Sequence, residues 1–309
     1  MLGSGSTLEW IGFFVVVLGL LAVDLGLVNR KSHVIHMREA AAWSAFWITI
    51  SLIFNSYIWY RHGNEAAATF FAAYLVEKSL SVDNLFVFLV IFNYFRVDQQ
   101  YQHRVLFWGI IGALVMRGVF IFAGTALLLR FNWMIYIFGA FLVYTGIKLG
   151  VSRGDQIDPA KSPVMRFATR RLRVTEQMQG ARFFVIRDSL LWATPLLLVL
   201  MIIEFSDVIF AFDSVPAVLG ISTDPFIVYS SNVFAILGLR ALYFLLAAVL
   251  GKLRFLNLGL ALILSFIGVK MLISHWVHIP TLVSLAVIAS LLTLSIFASA
   301  AWPAHDSEQ

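Results

Sequence analysis

The sequence predicts an all-α polytopic membrane protein, on three observations: its apolarity, the length of its apolar runs, and the placement of its basic residues. Of the 309 residues, 61% are hydrophobic and only 13% charged, with a mean hydropathy of +0.88. A soluble domain needs a far more charged surface, so the composition places the chain in the membrane class. The formal net charge of +5 would interest a nucleic-acid partner only if it were concentrated on one face. Cysteine is absent, which excludes disulfides, zinc–thiolate sites, iron–sulfur clusters and thiol catalysis.

An apolar helix of about 20 residues crosses the roughly 30 Å hydrocarbon core of a bilayer. Nine stretches qualify: 9–28, 40–60, 70–94, 104–129, 133–151, 190–215, 226–250, 256–274 and 280–301. The first resembles a signal peptide, but Met1–Glu9 lacks a basic region and Asp24 interrupts the run, so it reads as a retained span. Residues 152–189 are too polar to cross and read as a loop, basic through its arginines. Fifteen of the 22 Lys and Arg fall in one alternating set of loops, against only Arg61 and Arg130 in the other. By the positive-inside rule the N-terminus is outside, the C-terminus cytoplasmic, and 153–189 a basic cytoplasmic loop facing anionic lipid rather than nucleic acid. The whole of 1–309 forms one transmembrane domain.

Two segments repeat at a nearly constant offset. Asp83 in SVDNLFVF corresponds to Asp207 in FSDVIFAF, Arg117 to Arg240, and Lys148 to Lys270. The Asp-to-Arg spacings are 34 and 33, and the Arg-to-Lys spacings 31 and 30. Each repeat, 70–152 and 190–274, holds three spans, an odd number, so the two have opposite topology. Inverted repeats are a recurrent transporter architecture with substrate sites near the midplane.

Six acidic residues lie inside the spans: Asp24, Glu77, Asp83, Glu204, Asp207 and Asp213. Each costs at least ~2.5–3.5 kcal/mol on insertion scales, so they need cationic partners or a wet cavity. Glu77, Ser81 and Asn84 share one helical face, as do Glu204 and Asp207. Asp83 lies about 120° from Glu77 and Asp213 about 180° from Glu204 on an ideal helix. Convergence of all five on one site therefore requires irregular helices, and Pro216 is expected to supply a break. Carboxylates, an amide and freed carbonyls are hard oxygen donors suited to Mn²⁺, Mg²⁺ or Ca²⁺. All seven histidines lie in loops or at span ends, and the pairs His33/His36 and His275/His278 read as interfacial. Arg117, Arg240, Lys78, Lys148 and Lys270 are the intramembrane cations, read as counter-ions to the carboxylates or as gating groups. Lys148 and Lys270, near span ends, also have the length to snorkel.

The strings EKSLSVDNLFVF (77–88), EFSDVIFAFDSVPAV (204–218) and TDPFIVYSSNVFAILGLRALYFLL (223–246) resemble the TerC family of integral membrane proteins. The resemblance runs from about residue 8 to residue 300 and looks most like the bacterial Alx branch. It implies manganese export across the bacterial inner membrane. It also implies a metal site formed by Glu77, Asp83, Asn84, Glu204, Asp207 and Asp213.

The leading expectation is a secondary exporter of divalent cations, Mn²⁺ first among them, working by alternating access. No resident cofactor is expected, because the metal ion is cargo. The competing readings are a membrane-biogenesis or metal-delivery partner for secreted enzymes, and an exporter of another cationic substrate. An enzyme is not expected, since no mid-span His accompanies a Ser or Asp nucleophile. No G-x-x-x-x-G-K-[ST] pattern occurs, so coupling to protons, or uniport, is expected in place of ATP hydrolysis.

Overall fold

A computed structural model describes residues 4–26, 37–131, 133–151, 172–175, 177–187, 190–247, 255–277 and 279–301. It is mostly helical. In chain order the elements are α1 (Thr7–Gly26), α2 (Met37–Tyr94), α3 (Gln99–Arg130), α4 (Met134–Val151), β1 (Phe184–Arg187), β2 (Leu190–Ala193) and α5 (Pro195–Leu219). Then follow α6 (Pro225–Leu237), α7 (Leu239–Ala247), α8 (Leu256–Ile273) and α9 (Thr281–Ala301). Among the described residues, five helices are long and apolar enough to cross a membrane, or six with the bent pair α6–α7 taken as one span. Thr7–Val23 and Leu258–Ile273 are shorter apolar helices. Large apolar side chains such as Leu8, Leu282, Leu294 and Phe297 stay exposed, as on a surface solvated by lipid.

Four details depart from the sequence expectation. First, α2 runs through both 40–60 and 70–94, with only Gly63 between the two halves leaving helical dihedrals. Its φ of 85° and ψ of 179° belong to a region that is essentially glycine's alone. The good helix formers Glu65, Ala66, Ala67 and Ala68 then let the helix restart at once. Second, the sixth stretch begins not at 190 but at Pro195, because Leu190–Ala193 pair antiparallel with Phe184–Arg187. The fold is therefore not purely α. Third, α5 continues past Pro216 to Leu219. Pro216 lies near the end of the helix, and beyond it the helix closes with the Gly220 amide donating to the Pro216 carbonyl at 2.9 Å. Fourth, the break in the second half falls at Gly238, where α6 and α7 meet at 41°.

The hairpin is pinned to the helical body. Thr194 donates its Oγ1 to the Arg182 carbonyl at 2.6 Å, and the Arg104 guanidinium stands 5.3 Å over the Phe183 ring. Arg104 is exposed, so the cation–π contact contributes roughly 0.5–1 kcal/mol. Arg104→Ala is expected to speed proteolytic nicking at 177–187 a few-fold while leaving the melting midpoint of the helices in place.

α1 is anchored by a reciprocal capping box. The Ser6 amide and hydroxyl donate to Glu9 Oε2 at 2.7 and 2.9 Å, and the Glu9 amide donates to Ser6 Oγ at 3.3 Å. Glu9 Oε1 meanwhile meets Tyr57 and His62 of α2, just before Gly63. Trp10 and Phe13 of α1, Phe54 of α2, and Phe226 and Phe234 of α6 knit the three helices together through their rings. α6 is the innermost helix: all thirteen of its residues are buried.

The tightest helix pair is α4 with α8. A Cβ on Gly139 would lie 2.9 Å from the Gly268 carbonyl, and one on Gly268 would lie 2.6 Å from the Gly139 carbonyl. Gly146 meets the Ala261 carbonyl at 2.7 Å in the same sense. Numbers rise along α4 as they fall along α8, so the pair is antiparallel. The 122-residue step from Lys148 to Lys270 carries Gly139 onto Ala261 and Gly146 onto Gly268. That step turns the first contact, Gly139 with Gly268, into the second, Gly146 with Ala261.

Candidate functional site

The centre of the molecule is organised by Arg117, which projects from the middle of α3 and is 2% exposed. α3 packs along α5 and α6, and α2 along α5 and α6. The guanidinium thus meets side chains from three other helices. Its Nη1 forms an ion pair with Glu77 Oε1 of α2. Nη2 and Nε face the two oxygens of Asp207 on α5 at 3.3 and 3.5 Å. Nη1 also approaches Asn232 Oδ1 of α6 at 3.5 Å. Asn232 closes the ring by donating Nδ2 to Glu77 Oε2 at 2.8 Å, and Ser81 stands one turn from Glu77 with its hydroxyl at 3.5 Å.

The electrostatics follow from a count of charges. Two buried carboxylates face one guanidinium, so the cluster carries one negative charge in excess when all three are ionised. Taking such groups out of water is expensive, and the pairing offsets it only if the hydrogen bonds are satisfied. Here the fixed fork of the arginine, with the Asn232 amide as a neutral bridge, supplies them. A cavity of about 10 Å³, room for about one water, adjoins Arg117 and Asp207. Arg240 lies on its wall, buried, beside Ile236 and Leu239.

The sequence-derived site residues separate into three places. Glu77, Asp207 and Arg117 come together as above. Glu204, one turn before Asp207, faces Gly112 of α3 so closely that a Cβ there would fall 2.0 Å from its Oε2. Asp213 is elsewhere, on the opposite side of α5, where Thr145 of α4 donates to its Oδ1 at 3.3 Å. That separation is what its 180° offset from Glu204 along an unbroken helix requires. Asn84 is buried on the face of Glu77 and Ser81 but makes no hydrogen bond to the cluster among the described residues. The side chains of Asp83 and Asp24, and residues His33, His36 and His278, lie outside the described residues. Lys148 is exposed in the last turn of α4 and Lys270 half-buried in that of α8. Lys78 turns from the cluster toward α6 and donates to the Ala235 carbonyl at 3.1 Å.

Among the described residues no three of His, Asp and Glu converge closely enough to hold a metal ion. The arrangement supplies a reason: the guanidinium stands between Glu77 and Asp207. Two participants escaped the sequence reading. Asn232 and Thr145 are neutral, and in an apolar span a neutral polar residue carries no cost large enough to draw notice. The run Ser230-Ser231-Asn232 inside an apolar stretch was the available signal.

Comparison with known proteins agrees with this picture of a multi-pass membrane protein. The family model described as Integral membrane protein TerC family matches residues 62–307. A Myxococcus xanthus protein named "Uncharacterized membrane protein STKORF319" is 48% identical over 295 residues, covering 96% of this chain and 92% of its own length. An Escherichia coli (strain K12) protein named "Putative membrane-bound redox modulator Alx" is 47% identical over 305 residues, covering 96% and 95%. A Rickettsia bellii "Uncharacterized membrane protein" is 42% identical over 292 residues, covering 94% and 97%. No solved structure matches the chain. With a family model spanning most of its length and near-full-length relatives above 40% identity, the chain belongs to the TerC family of integral membrane proteins.

Proposed function

We propose that this protein is a secondary transporter of the bacterial inner membrane that exports divalent metal cations, Mn²⁺ foremost, and is not an enzyme. The observation that carries the reading is the buried Glu77–Arg117–Asp207–Asn232 cluster, two carboxylates gathered from two helices around one guanidinium. A cation arriving beside Glu204 meets hard oxygen donors, and Arg117 holds the carboxylates in place when the cation has left. The α4–α8 contacts, which map onto themselves under the repeat offset, support two inverted repeats and hence alternating access. N-out, C-in orientation and nine crossings follow from the basic-residue alternation. The name borne by some relatives invokes redox modulation. Without cysteine this chain has no thiol to exchange, so a redox effect would pass through a redox-active cargo such as manganese.

The test is uptake of Mn²⁺, Ca²⁺ and Mg²⁺ into inside-out vesicles, with and without a pH gradient. Wild-type vesicles are expected to take up Mn²⁺ fastest, and Glu77→Gln or Glu204→Gln to reduce uptake at least about tenfold, the effect of losing one strong charge-assisted contact. Unchanged uptake by both variants would remove the carboxylate site, and no Mn²⁺ uptake by the wild type would remove the export reading.

A further inference from the structure

Lys78 has no role in the cluster beside it. Its neighbour Glu77 holds Arg117, whereas the Lys78 ammonium turns the other way and donates to the Ala235 carbonyl at 3.1 Å. Among the described residues no carboxylate lies within ion-pair distance of it. Ala235 is in the last turn of α6, where carbonyls have no amide four residues on within the helix. The 41° bend at Gly238 ends α6 at this level. Partial negative charge gathers at such a helix end and favours a cation. The fit is close: a Cβ on Gly238 would lie 3.0 Å from the Lys78 Nζ and 2.9 Å from the Trp47 Cβ, so glycine alone leaves room for the ammonium.

The other half of the molecule has the complementary arrangement. The 123-residue step from Arg117 to Arg240 carries Gly112 onto Ala235. Gly112 is the residue the Glu204 carboxylate abuts, and Ala235 the one the Lys78 ammonium caps. Gly112 and Ala235, equivalent positions under that step, are thus met by an anion and by a cation respectively.

We propose that the end of α6 at the Gly238 bend is a second cation niche, built for an ammonium and filled by the chain's own Lys78. The niche is then closed to cargo. Resting on the export reading, this limits the path to the Glu204 half and makes its two halves unequal in affinity.

The experiment is chemical rescue of the purified full chain carrying Lys78→Ala. Removing a charged hydrogen bond at the helix end should lower the melting midpoint by about 2–5 °C. Methylammonium, which carries N–H donors, should restore at least half of the loss by occupying the vacated niche. Tetramethylammonium, with the same charge and no donor, should not, and wild-type protein should respond to neither. Equal response to both ions, or no response in a folded Lys78→Ala protein, overturns the niche. If that variant does not fold, Lys78→Met keeps the apolar stem: a midpoint several degrees below wild type supports the niche, and one equal to or above it overturns it. These readouts contain no manganese, so failure of Mn²⁺ transport by the wild type sinks the export reading and leaves the niche to its own result.

Discussion

Arg117→Met is expected to cost more stability than any other single substitution in the transmembrane core. Removing one partner of a buried ion pair typically costs roughly 3–5 kcal/mol, because the remaining charge is left buried and unpaired. Here two remain, Glu77 at 0% and Asp207 at 5% exposure, and they then repel each other. A methionine occupies much of the arginine stem's volume, so the loss reports on charge more than on packing. Adding Glu77→Gln to Arg117→Met should recover part of the loss, since an amide needs no counter-charge and keeps an acceptor for Asn232. Fluorescence-monitored melts of the single and double variants measure this. The export reading adds a second expectation: Mn²⁺ should raise the midpoint of Arg117→Met more than that of the wild type, because a bound cation takes the place of the guanidinium. A single variant that melts with the wild type would show that the three groups are not coupled.

Gly268→Val should be the most damaging of the glycine substitutions tested on the helix surfaces. Its Cβ would meet the Gly139 carbonyl at 2.6 Å and the Val143 amide nitrogen at 2.8 Å. Both are backbone atoms, so relief requires α4 and α8 to move apart. Overpacking of this kind costs roughly 1–3 kcal/mol and occasionally more, and the absence of a flexible neighbour puts Gly268 at the upper end. Gly12→Val and Gly19→Val are the controls, since nothing lies within 4 Å of a Cβ at either position. The expected result is a lowered melting midpoint for Gly268→Val and near-neutral controls. Equal midpoints in all three would mean that α4 and α8 do not pack backbone to backbone.

Much of the helical frame was legible in advance, because hydropathy is summed over about 20 residues and tolerates local error. Helices occupy each of the nine apolar stretches within the described residues, although 190–194 is hairpin and turn. What failed were single-residue signals. Pro216 promised a break and gave none: α5 runs on to Leu219 even though the proline offers no amide to the Phe212 carbonyl. Gly63 and Gly238, ordinary glycines by sequence, became the breaks: Gly63 takes dihedrals open to glycine, and Gly238 stands where α6 and α7 meet at 41°. The hairpin was missed because four-residue strands embedded in a polar loop leave almost no periodic signal.

The site divides in the same way. Helical spacing alone placed Glu77 with Ser81, Glu204 with Asp207, and Asp213 on the far side from Glu204, and each relation holds in the structure. The expectation that all five carboxylates need irregular helices to converge is answered for the four described: Glu77 and Asp207 meet around Arg117, Glu204 stands a turn away, and Asp213 turns to Thr145.

What the sequence by itself determined is the solvent this chain lives in, its helices, and the identity of the charges that must be answered inside them. These are local properties, set by the composition of each segment and by the cost of a charge in hydrocarbon. Which charge answers which was decided only by tertiary structure. Arg117 could have reached any carboxylate at its depth, and Lys78 either face of α2, until α6 packed against α2 and α3, with Asn232 bonded to Glu77 and the Ala235 carbonyl to Lys78. The reason is physical: an ion pair depends on distance and on the dielectric around it, and neither exists until the helices have packed.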